Sequence, residues 1–176
     1  VRVVQQYGVD YFRYFLAREV ILGNDGNFSD ENFVNRINSE LANKIGNLCQ
    51  RTLAFINKNL SGEVPKVENL ENLLESTEIT NLGYKLIDDF RKYANAQDLN
   101  NILEGIVRFA EEANSFIDKE APWQLRKTDE RRMNEVLVIL IEVIRLLGIY
   151  LMPFIPSSAS SMLDQINAAE DQRSFE

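Results

Sequence analysis

Apolar residues return every third or fourth position along most of the chain and almost nowhere alternate as a half-buried strand requires, so the pattern predicts helices nearly throughout. The first spans Val9 to Glu19, and Gly23-Asn24-Asp25-Gly26 then predicts a turn. Ser29 stands where an N-cap belongs, with Asp30 and Glu31 at the positive end of the next helix dipole. That second helix carries Phe33, Ile37, Leu41, Ile45, Leu48, Thr52, Phe55 and Ile56 on one arc and is expected to stop near Leu60, before Ser61-Gly62 and Pro65. A third, weakly periodic in its first half, is expected from Leu70 to Tyr93. Asn95 is the expected cap of a fourth, whose stripe is Leu99, Ile102, Ile106, Ala110, Ala113 and Ile117. Ala121-Pro122-Trp123 interrupts it, because proline donates no helical hydrogen bond and restricts the residue before it. Thr128 is expected to cap a fifth helix running to about Leu151, apolar nearly all round from Val136 as a central bundle member would be. Pro153 and Pro156 precede a last short helix from Ser157 to about Ile166, and the polar tail, 167–176, is expected to fray. The sum is an all-α fold, an antiparallel helical bundle with short loops.

Composition narrows the class. With 176 residues, 45% apolar, and only 8 Gly and 4 Pro, the chain can bury one domain's core and is neither collagen-like nor low-complexity. Cys49 is the single cysteine, which suits a reducing, cytoplasmic compartment. The longest apolar stretch, Val136 to Met152, holds Glu142 and Arg145 and is shorter than a bilayer needs, so a buried helix is expected and no membrane partner. The chain opens on Val1 without a basic segment followed by an apolar one, and is read as a piece of a longer polypeptide. It contains no histidine, which removes the commonest general base, and one cysteine cannot build a zinc site. No catalytic residue and no metal ligand set is therefore assigned, and self-contained catalysis is not expected.

The net charge of −8 argues against nonspecific binding to DNA or RNA, since neutralising phosphates takes surplus lysine and arginine. Its distribution changes that picture. Residues 61–120 carry −7, whereas 29–60 and 121–135 carry +1 each. On the second helix, Lys44, Asn47, Arg51 and Lys58 fall within about 60° of one another at 100° per residue, beside the apolar arc. This stripe is either a solvated helix face or a polar contact surface, and Arg51 can equally pair with a nearby acid. Trp123, after a proline, is either a core plug or a platform for stacking. Arg126, Lys127, Arg131 and Arg132 are either surface charges or phosphate contacts.

Several motifs, in order along the chain, carry a resemblance. Tyr7-Gly8-Val9-Asp10, Arg13-Tyr14-Phe15-Leu16, Arg18-Glu19 and Gly23-Asn24-Asp25-Gly26-Asn27-Phe28-Ser29 resemble the segment after the signature lysine loop of methionyl-tRNA synthetases, which are class I enzymes. Leu41-Ala42-Asn43-Lys44-Ile45-Gly46-Asn47-Leu48-Cys49-Gln50-Arg51 is similar to the first long helix of that family's anticodon-binding domain. Lys119-Glu120-Ala121-Pro122-Trp123 is similar to its tryptophan segment, and Leu151-Met152-Pro153-Phe154-Ile155-Pro156 to its closing helix break. The leucine, isoleucine and valine enzymes share this class Ia bundle, but Asn47, Arg51 and Pro122-Trp123 together favour methionine.

The resemblance implies that Asn47, Arg51 and Trp123 meet the CAU anticodon of tRNA(Met), with Pro122 aiming Trp123 outward and Lys44, Lys58, Arg126 and Lys127 as further RNA contacts. It implies that residues 1–28 end the catalytic region, contact the inner side of the tRNA and link to the bundle at 29–166, with 167–176 as a tail. It places ATP, Mg and the HIGH and KMSKS signatures in a catalytic domain of the same polypeptide, and neither signature occurs in these residues, so no cofactor is assigned to them. The resemblance to the closing helix break carries no expectation of the tail-dimerised form of the family. Apart from the resemblance, a helical scaffold docking a protein through its acidic face, residues 61–120, remains an alternative reading.

Overall fold

The computed structural model describes residues 2–19 and 28–175, and every regular element among them is helical. Two short helices, α1 (Arg2–Tyr7) and α2 (Val9–Glu19), are separated by Gly8, whose φ of +94° is a conformation natural to glycine. The turn expected at Gly23–Gly26 lies outside the described residues. Ser29 caps α3 (Asp30–Arg36) as expected, its Oγ accepting from the Asn32 N–H at 3.1 Å. The backbone then continues without a break through a π-helical stretch (Ile37–Gly46) into α4 (Asn47–Leu60), making one rod that ends where Ser61 and Gly62 both turn to positive φ.

The expected third helix is two. α5 (Leu70–Ser76) and α6 (Glu78–Asn95) are parted at Thr77, which is extended. Thr77 and Thr80 donate their hydroxyls to the carbonyls of Leu73 and Leu74, satisfying in side-chain form groups that a continuous helix would have bonded. Asn95 ends α6 instead of capping α7 (Leu99–Glu120). The cap is Asp98, which accepts from the Asn101 N–H at 3.1 Å after Gln97 has turned left-handed. Ala121, also left-handed, ends α7, and Pro122 opens the short α8 (Pro122–Thr128) at the position where its missing N–H costs nothing. Thr128 closes that helix, while Asp129 caps α9 (Glu130–Leu151) by accepting from the Arg132 N–H at 2.9 Å. After α10 (Pro156–Gln165) the tail does not fray. Phe175 packs on Tyr150 with ring centroids 4.6 Å apart, Arg145 donates to the Gln172 carbonyl and Arg173 pairs with Asp164.

Contacts between the long helices give their directions. Gly83 meets Phe109 while Leu86 meets Gly105, so α6 and α7 are antiparallel; Lys44 and Arg51 face Glu111 and Asp118, so the rod runs parallel to α7. Tyr84 and Phe90 face Glu142 and Tyr150, which sets α9 parallel to α6. Rod, α6, α7 and α9 therefore alternate in direction along the chain, as an antiparallel bundle requires. α9 is its centre, buried on all sides from Val136 to Leu140 and again from Leu146 to Leu151. No helix among the described residues is long and apolar enough to cross a membrane.

The N-terminal helices are bolted to this bundle by a buried polar cluster. Glu40, 4% exposed, accepts from the Tyr14 hydroxyl at 2.6 Å, from Arg18 at 3.2 Å and from Arg36 at 3.0 Å. Arg18 reaches on to Glu104 and Asn100 of α7, and Arg36 back to Glu19. Burial alone would push the Glu40 carboxyl up, but the hydrogen bonds from Tyr14, Arg18 and Arg36 outweigh it and hold it below its ordinary range.

Candidate nucleic-acid interface

Three of the four stripe residues on the rod face another helix, and only Lys58 is exposed to solvent. Lys44, Asn47 and Arg51 stand one turn apart, and each meets a residue of α7 spaced in the same way. Lys44 Nζ lies 2.6 Å from Glu111 Oε1, Asn47 Nδ2 donates to Asn114 Oδ1 at 3.4 Å, and Arg51 donates to Asp118 Oδ1 at 2.5 Å. Two parallel helices thus meet along matched polar ridges. Both ion pairs are partly exposed, with Asp118 and Glu111 more than half open to water, so each contributes little to stability and can exchange partners.

Trp123 completes the arrangement from the far side of the α7–α8 corner. Its indole is 41% exposed, which excludes the core plug, and the Arg51 guanidinium carbon lies 5.3 Å from its ring centroid. Pro122 is buried beneath it, and with the left-handed Ala121 it turns the chain so that the next side chain leaves the bundle surface. A planar cation and an aromatic face, 72 positions apart in sequence, therefore share one ledge.

The remaining candidates divide. Arg126 lies near this corner and donates to Asn59 Oδ1 at 2.5 Å, tying α8 to the end of the rod. Lys58 and Lys127 are exposed, and Lys58 stands two turns, about 10 Å, beyond Arg51. Sequence reasoning missed Glu111, Asn114, Asp118 and Asn59. A signal for the first three existed: their spacing of three and four repeats that of Lys44, Asn47 and Arg51. No group of three or more acidic, cysteine or histidine side chains suited to a metal ion is found among the described residues. The thiol of Cys49, buried inside the rod, is pushed up to about 12 by that burial, which makes it a poor nucleophile.

Comparison with known proteins gives the family. The family described as the anticodon binding domain of methionyl tRNA ligase matches residues 71–175, and the family described as class I tRNA synthetases (M) matches residues 1–53. Arg51 and Trp123 thus fall in different matched segments. The methionine–tRNA ligase of Rickettsia felis is 47% identical over 176 residues, 99% of this chain and 34% of that protein. That of Brucella melitensis is 42% identical over 173 residues, 98% of this chain and 33% of that protein. The structure of Mycobacterium tuberculosis methionyl-tRNA synthetase in complex with methionyl-adenylate superposes with a TM-score of 0.90 at 37% identity, covering 99% of this chain and 35% of that one. The chain spans about a third of the length of each of these relatives.

Proposed function

The chain belongs to the methionyl-tRNA ligase family, whose anticodon-binding domain it carries, and from that premise we propose that it reads the CAU anticodon of tRNA(Met) on the ledge of Asn47, Arg51 and Trp123. The observation that supports this most is the convergence of the Arg51 guanidinium and the half-open Trp123 ring at 5.3 Å. Anticodon bases lie in a single-stranded loop and can be splayed onto such a surface, where stacking supplies affinity and exposed edges supply sequence. Trp123 stacks a base, a contact worth about 1–3 kcal/mol. Arg51 offers donors in a rigid fork, suited to cytosine's carbonyl oxygen and ring nitrogen. Lys44, Lys58, Arg126 and Lys127 approach the backbone, their present partners Glu111 and Asn59 giving way where they have one.

In this reading the longer polypeptide joins methionine to tRNA using ATP and Mg in a catalytic domain outside these residues. Residues 1–28 end that domain and contact the inner side of the tRNA, and residues 29–166 do the reading. The Tyr14–Glu40–Arg18 cluster supports a rigid junction between the two. Cytoplasmic location follows from the same role. The test is affinity of the full-length ligase for tRNA transcripts that differ only in the anticodon. Binding is expected to favour CAU by tenfold or more at fixed salt, and equal binding to altered anticodons overturns the reading.

A further inference from the structure

Asn114 lies at the middle of the matched ridges, and its contact with Asn47 is only one of those its amide makes. Its amide nitrogen donates to two backbone carbonyls, Lys44 O at 2.9 Å and Ala110 O at 2.8 Å. Lys44 O is the carbonyl at the seam where the π-helical stretch becomes α4, and it also receives the Asn47 backbone N–H. Two carbonyl acceptors admit only the NH2 side of an amide, so the orientation of Asn114 is dictated by the backbone. Its Oδ1 is then directed at Asn47, and an amide facing an oxygen must offer nitrogen, as Asn47 Nδ2 does at 3.4 Å. With its nitrogen committed to Asn114, the Asn47 amide keeps its carbonyl oxygen for another partner.

We infer that Asn114 is a positioning residue that fixes the hydrogen-bond polarity of Asn47, so that the ledge presents an acceptor at Asn47 and donors at Arg51. This deepens the anticodon reading and rests on it. A base lying along the two residues then needs a donor beside Asn47 and acceptors beside Arg51. Cytosine supplies an amino group, then a ring nitrogen and a carbonyl oxygen. Uracil has the same shape with the first two reversed: its O4 opposes the Asn47 oxygen and its ring N–H opposes the guanidinium. Discrimination between two isosteric pyrimidines is thereby set by a side chain on a different helix that need not touch the RNA.

The test measures dissociation constants of the full-length ligase for tRNA(Met) carrying cytosine, pyrimidin-2-one or uracil as the first anticodon base. Pyrimidin-2-one lacks the amino group and puts no oxygen in its place. The expected order is cytosine tightest, pyrimidin-2-one intermediate and uracil weakest, with roughly tenfold or more between the extremes. Uracil binding as well as pyrimidin-2-one or better overturns the polarity. Asn114→Ala frees the Asn47 amide to rotate, so the cytosine-to-uracil ratio is expected to fall to within about threefold of unity while stacking affinity persists. An unchanged ratio in a folded Asn114→Ala protein overturns the positioning role, and the modified tRNAs decide the polarity with the unaltered protein if that variant misfolds. In the unaltered protein, absence of discrimination at the first anticodon base alone, with the other two still read, counts against the polarity set by Asn114. Loss at all three in the unaltered protein counts against the anticodon reading itself.

Discussion

Trp123 and Arg51 show how far single residues can be read. Period and composition left each with two readings, and only the family resemblance singled them out. Their distance was not legible, since a hydrophobic period tells which face of a helix is apolar and says nothing of which helix covers its border. Asp118 and Asn114 were hidden for that reason: an acid and an amide on α7 carry no mark of the ridge they will meet. The exposure of the indole now separates its two readings in energy. Trp123→Ala is expected to cost no more than about 1 kcal/mol of stability, the worth of an exposed cation–π contact. The same change should weaken tRNA binding by about 1–3 kcal/mol. Thermal melts beside binding curves check this, and a collapsed melting temperature would show that the ring is structural. Arg51→Lys keeps the charge but loses the planar fork, so a similar loss of affinity with an unchanged melt is expected.

Among elements, the long helices were plain, while the short α1 and α8, the break at Thr77 and the helix ends were not. The α7 stripe, assigned residue by residue, is buried from Ile102 to Ile117 but not at Leu99, which is exposed at the first turn; α9 was read only as apolar nearly all round, which its burial matches. Their caps were displaced by three residues and by one, since Asn95 and Thr128 are as good in principle as Asp98 and Asp129, and the intervening turn geometry decides. The π-helical stretch gave no sign in the apolar arc, because side chains such as Ile37, Leu41 and Ile45 remain buried through it. Packing between elements also depends on what is absent. A methyl group added at Gly83 would lie 2.6 Å from Phe109 and 2.7 Å from Leu146, so α6 approaches α7 and α9 only because this position has no side chain. The Gly83 carbonyl also accepts from the buried Tyr150 hydroxyl at 2.8 Å. Gly83→Ala is therefore expected to destabilise by about 1–3 kcal/mol despite its better helix propensity. A lower urea midpoint with unaltered slope would confirm it, and a gain in stability would contradict the close approach.

At the scale of the whole molecule, two points about three turns apart on one rod hold different parts of the protein together. Glu40 ties α2 to the bundle, and Arg51 meets the corner carrying Trp123. The general architecture followed from period and composition, but this junction did not, because a glutamate inside an apolar arc reads as an error of pattern until its three donors are placed. Glu40→Gln is expected to cost about 2–3 kcal/mol at pH 7, the range for hydrogen bonds to a charged group. Because the folded Glu40 carboxyl is held below its ordinary value of 4.5, its contribution is complete above that pH and is lost as pH falls through the lower folded value. The stability gap between the unaltered protein and Glu40→Gln should stay constant from pH 7 to 5 and close in stronger acid, as denaturant melts across pH would report. The tail belongs to the same scale: Phe175 on Tyr150 shows that a polar composition does not free a segment that keeps one aromatic anchor. The central claim concerns where RNA rests on this assembly, and the most direct measurement follows the Trp123 indole N–H and the Arg51 Nε–H by NMR while a CAU anticodon hairpin is added. Both signals should shift together and saturably, and a hairpin with a scrambled loop should leave them in place; a CAU hairpin that moves neither signal, or shifts only residues of the acidic face at 61–120, contradicts the account.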